Sequence, residues 1–139
     1  MPTDIPTPDL LTMQRAIDAV EGGADAWNGP HYGKAQITCV VVRDWLKETR
    51  GIGFADEPYL RLMADGHYDE IVFWHLTLLA AHHKLRARCA TPRDLLEAIA
   101  AAWNRGVTGY LASPLAAQDY AARVANMYEH ILVTPSPSR

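Results

Sequence analysis

Glu21 stands where an apolar helix face runs into a pair of glycines. Leu10, Met13, Ile17 and Val20 recur ahead of it at helical spacing, so a buried stripe leads up to the carboxylate. Behind it, Gly22 and Gly23 allow backbone shapes that other residues avoid, and Gly22 can cap the helix. A carboxyl held at the end of an apolar helix and facing an open loop is expected to keep its proton near neutral pH. That is what a general acid needs in order to protonate the leaving oxygen of a glycosidic bond. The plainer alternative is a solvated helix-end glutamate, which most such residues are.

Two further segments bear on the choice. Gly33-Lys34-Ala35-Gln36-Ile37-Thr38 follows a loop of small and aromatic residues, and Trp103-Asn104-Arg105-Gly106 closes a later helical stretch. Tyr120 and Tyr128 lie in a last amphipathic segment. In order and spacing these elements resemble the lytic transglycosylase (goose-type lysozyme-like) family. Its motifs are Glu-Ser at a helix end, Gly-x-x-Gln, an Ala-Tyr-Asn-x-Gly element and a late tyrosine. The likeness spans Leu10 to Ile131. Through the run from Gln36 to Asp44 it is nearest to phage-type and small bacterial members. There are two departures: Gly22 stands where the family has Ser, and Trp103 where it has Tyr. Trp103 keeps a stacking surface but changes its hydrogen bonding.

The resemblance implies an all-α, lysozyme-like fold with a substrate cleft, and cleavage of the β-1,4 bond between MurNAc and GlcNAc in peptidoglycan. It makes Glu21 the single acid/base, lines the sugar cleft with Gln36, lets Asn104 hydrogen-bond substrate, and has the Tyr120 hydroxyl orient Glu21. Trp27, Tyr32 and Tyr110 are candidates for stacking on sugar rings, whereas Trp45, Trp74 and Trp103 fall on inward helical faces. Gln36 and Asn104 could instead cap a helix or hold a loop. A hydrolytic route needs a second carboxylate to activate water. Asp25, Asp44 and Asp56 are the candidates, and none is expected to act. Two alternatives remain: a lysozyme-fold protein that has lost turnover and serves as a wall-binding or structural part of a phage particle or secretion apparatus, and a helical interaction domain unrelated to sugars.

No metal or other cofactor is expected. His75 and His82 share a helix face only at i and i+7, and His82 and His83 point about 100° apart, so no helical zinc pair forms. Cys39 and Cys89 lack metal-type spacing and read as reduced, buried thiols. A net charge of −3 argues against a nucleic-acid backbone binder. It also gives no general attraction to anionic wall polymers. With no apolar span and no basic-then-apolar leader, neither membrane insertion nor a signal peptide is expected. The chain is expected to be made in the cytoplasm, act as a monomer on glycan strands, and reach the wall through phage or secretion machinery.

The 139 residues, 49% hydrophobic, suit one domain over 1–134 with a disordered Pro-Ser tail at 135–139. The expected helices begin with Pro8 to Val20, capped by Thr7. The next runs from Ile37 to Thr49, although Ile37 to Val42 alone favours a strand. A short one spans Glu57 to Met63, and a long one Asp69 to Arg88 with Ile71, Trp74, Leu78 and Leu85 on its face. A fifth opens at Thr91-Pro92-Arg93-Asp94 and turns Leu95, Ile99, Ala102 and Trp103 inward. The last starts near Ser113-Pro114 and carries Leu115, Tyr120, Val124, Met127 and Ile131.

Overall fold

The apolar periodicity, punctuated by glycine and proline, yields a mainly helical molecule. The computed structural model describes residues 4–22, 27–28, 31–33 and 35–133, which contain seven helices. Helix α1 (Leu10–Glu21) begins where the Asp9 carboxylate accepts the Leu11 and Thr12 N–H groups. The cap is thus Asp9 rather than Thr7, whose hydroxyl accepts from Arg86 Nη2 instead. The helix stops at Gly22, whose φ of 65° turns its N–H back to the Asp18 carbonyl.

Three strands of two residues each follow: β1 (Trp27–Asn28), β2 (His31–Tyr32) and β3 (Ile37–Thr38). They pair antiparallel in that order, with Tyr32 opposite both Trp27 and Ile37. Ile37 and Thr38 therefore sit at a strand edge. Helix α2 (Cys39–Arg50) starts two residues later than expected and ends at left-handed Gly51. Asp56 caps α3 (Glu57–Gly66) through the Tyr59 N–H.

The expected single helix over 69–88 is two, α4 (Tyr68–Ala81) and α5 (His83–Arg86). His82 leaves helical geometry at ψ 117° and accepts the Lys84 N–H on its own Nδ1. Arg86 then bonds the Ala80, Ile5 and Thr7 oxygens, tying the break to the N-terminal segment. The buried residues of α4 are Ile71, Val72, Leu76, Leu79 and Ala80, so Leu78 faces outward at 47% exposure. Helix α6 (Pro92–Ala112) opens with a reciprocal Thr91–Asp94 capping box and is interrupted at Gly106 (φ 77°, ψ 159°). Helix α7 (Gln118–Val133) starts after a turn at 114–117, which leaves Leu115 exposed rather than inward.

Helix α7 packs against both α1 and α6, while α4 touches α1, α2 and α6. Met13, Ile17, Trp45, Leu46, Ile71, Leu76, Leu95, Ile99 and Val124 belong to one continuous core. Burying each such Leu or Ile stabilises by ~1.5–3 kcal/mol. The tail at 135–139 lies outside the described residues.

Candidate functional site

The site is built on a turn fixed by two aromatic rings. Gly33, at φ 76°, packs so closely on Tyr68 that an added Cβ would lie 2.4 Å from a ring carbon. The Tyr68 hydroxyl accepts the Ala35 N–H at 2.6 Å, and the Trp103 indole N–H donates to the Ala35 carbonyl at 2.9 Å. Both polar backbone groups of Ala35 are satisfied by side chains from α4 and α6. Next to this anchor Gln36 adopts a left-handed φ of 60°, a conformation that costs a non-glycine residue ~1–3 kcal/mol. Its backbone N–H and its Nε2 both donate to the Gly33 carbonyl, at 3.1 and 2.7 Å. Among the described hydrogen bonds, none uses the amide oxygen of Gln36.

Glu21, Gln36, Thr38, Trp103 and Asn104 line one cleft of about 280 Å³. They come from the end of α1, the anchored turn, β3 and α6. Glu21 and Trp103 are half-buried, and Asn104 is exposed. Thr38 was not foreseen. It occupies the position before α2 without capping it, and lines the cleft. The expected helix start at Ile37 puts Thr38 inside a helix, where its hydroxyl gives no signal of a site.

Tyr120 is buried on α7, and no partner of its hydroxyl meets good hydrogen-bond geometry. The phenol is held far above its ordinary range, first by burial, then by the charge of Glu21 and hydrogen bonding with it, and Arg123 opposes. The two groups are close enough to act on each other but misaligned. Of the expected site residues, Glu21, Gln36, Trp103 and Asn104 thus line one cleft, and Tyr120 lies beside Glu21. The side chains of Tyr32 and Trp27, and all of Asp25, lie outside the described residues.

A second hollow of about 320 Å³ adjoins the cleft, sharing Gln36, Thr38, Trp103 and Asn104. Its own lining includes Ile37, Val40, Val41, Asp44, His75 and Ala102. The His75 ring centre is 5.1 Å from that of Trp103. Burial pulls this imidazole down from 6.5 to about 4, and the Asp44 charge opposes it.

The remaining candidates lie elsewhere. Tyr110 is half-buried under Arg88, whose guanidinium carbon is 5.9 Å from the ring centre, and does not line the cleft. Asp56 caps α3, and Asp44 belongs to the hollow. Trp45 is buried against His67 and Arg50, and Trp74 is half-buried. Cys39 is only half-buried, contrary to expectation, because it opens α2 at the strand edge. Cys89 is buried and bonds the Leu85 carbonyl, and both thiols are free. Among the described residues, no helix is long and apolar enough to cross a membrane, and no cluster of His, Cys, Asp or Glu could hold a metal ion.

Chemically the cleft offers one carboxylate for proton transfer, two amides and a hydroxyl for a polyol, and an indole face. Its described lining contains no second carboxylate. No family model, curated protein or solved structure matches this chain.

Proposed function

We propose that the protein is a lysozyme-like enzyme that cleaves the MurNAc-GlcNAc bond of peptidoglycan, with Glu21 as its acid and base. One observation carries this reading. Glu21, Gln36, Trp103 and Asn104, far apart in sequence, line the same cleft, and Tyr120 acts on Glu21 from the core side. Glu21 gives its proton to the leaving glycosidic oxygen as the C1–O bond breaks, leaving an oxocarbenium-like sugar. The resulting carboxylate then takes the proton of that sugar's own 6-hydroxyl, whose oxygen attacks C1 and closes an anhydro ring. This route needs no second carboxylate, in keeping with the cleft's described lining. Gln36 and Asn104 hydrogen-bond the glycan, and Trp103 offers a stacking face.

Purified sacculi incubated with the protein should release anhydro-muropeptides, read by mass spectrometry. Reducing-end products would instead assign a muramidase, and an undigested wall would reject cleavage. A second reading, a wall-binding protein without turnover, draws on the misaligned Tyr120–Glu21 contact and on Gly22, which supplies no hydroxyl beside the acid. Binding to sacculi without soluble products would select it.

A further inference from the structure

The hollow beside the cleft has a composition that the cleavage reading does not use. Ile37, Val40, Val41 and Ala102 give it an aliphatic wall, and Asp44 supplies the carboxylate. Asp44 is exposed, and none of the described ion pairs uses it. An aliphatic trough beside a carboxylate matches an alkyl chain that ends in an ammonium group: the stem lies along the apolar wall and the charge stays near solvent. The Trp103 ring, shared between the two spaces, adds a face that attracts cations. We propose that this hollow binds the aliphatic ammonium side chain of a peptidoglycan stem peptide, with Asp44 as the partner of the charge. The inference rests on the proposed cleavage reading for the source of the amine, but not for the chemistry of the pocket. Because the hollow opens beside Gln36 and Asn104, a glycan seated there would bring its peptide stem within reach. Burial keeps the His75 ring neutral at physiological pH, so it adds no positive charge to repel an ammonium.

Two measurements test this. The first is an NMR titration of the labelled full chain with Nα-acetyl-lysine N-methylamide and with its norleucine counterpart, which lacks only the amine. The lysine probe should shift the Trp103 indole and Val41 amide signals and bind about threefold to fivefold more tightly, the size of one solvent-facing ion pair. Asp44→Asn should bring the two probes to equal affinity. The second compares clearing of native sacculi with sacculi whose stem amines have been acetylated. The wild-type protein should prefer native walls by a similar factor, and Asp44→Asn should lose the preference.

Equal binding of the two probes, or a lysine preference that survives Asp44→Asn, overturns the pocket. Binding of the lysine probe through Asp44, with walls cleared regardless of acetylation, overturns the stem peptide as the source. Binding through Asp44 with no wall cleared upholds the pocket's chemistry and rejects the cleavage reading instead.

Discussion

Replacing His75 with Gln should remove most of the acid sensitivity that this one ring gives the fold. The ring sits between α4 and Trp103, and burial lowers it from 6.5 to about 4. The folded protein thus keeps His75 neutral down to about pH 4, while the unfolded chain protonates it near 6.5. Between those values the unfolded state binds more protons, so stability falls as the pH falls. The stabilisation is complete above 6.5 and lost once the pH has passed below about 4. At ~1.4 kcal/mol per pH unit the full span is worth about 3 kcal/mol, and roughly 2 kcal/mol is lost by about pH 5. Urea unfolding followed by tryptophan fluorescence, at about pH 7.5 and about pH 5, measures the loss in both proteins. Other groups titrate identically in the two, so the difference of the differences isolates His75. The wild-type protein should lose about 2 kcal/mol more than His75→Gln over this interval. Parallel losses would mean that the ring is solvated in the folded state, and the burial argument would be wrong.

Glu21→Gln is nearly isosteric and should melt like the parent, yet wall clearing should fall by ~10²–10⁴-fold; clearing retained in that variant puts the acid elsewhere. Tyr120→Phe deletes a buried hydroxyl that lacks a well-formed hydrogen bond, so stability should hold or rise by up to about 1 kcal/mol. Its clearing rate should still drop, because Glu21 loses the buried phenol beside it, and an unchanged rate would remove Tyr120 from the site. Gly33→Ala forces a Cβ against Tyr68 at a positive φ and should cost about 2–4 kcal/mol in urea unfolding. Gly22→Ala, where a Cβ meets open space, should cost only about 1 kcal/mol, from the left-handed backbone alone.

Local signals were legible where the chain's own chemistry decides the outcome. The stripe before Glu21, the Gly22 cap and the Thr91–Asp94 box all depend on neighbours within four residues, and all three form. Three elements differ from the sequence reading because partners outside the segment decide them. Thr7 is not a cap because Arg86 takes its hydroxyl across the fold. The long helix breaks at His82, where Arg86 ties α5 to Ile5 and Thr7. Ile37 and Thr38 pair with β2, which settles the strand-or-helix ambiguity of a β-branched run. Glu21, Gln36, Trp103 and Asn104 were named from motif order, while Thr38 and the Asp44–His75 hollow were not named as parts of the site. A hydroxyl inside an expected helix and a histidine on an amphipathic face each suit a purely structural role, and only the tertiary arrangement sets them beside the cleft.

The packing of α1 on α7 also bears on how the chain is made. The Asp9 N–H donates to the Tyr128 hydroxyl at 2.9 Å, joining residues 119 positions apart, and Tyr120 beneath Glu21 comes from the same late helix. A ribosome releases α1 long before α7 exists, so the part of the α1 stripe that α7 covers must wait uncovered even after α4 can pack on the rest. Chains that stall short of α7 present that stripe to chaperones and proteases, and none of them can place a tyrosine behind Glu21. The order of synthesis therefore sets when Glu21 acquires its core-side neighbour, which comes only once α7 has emerged and docked.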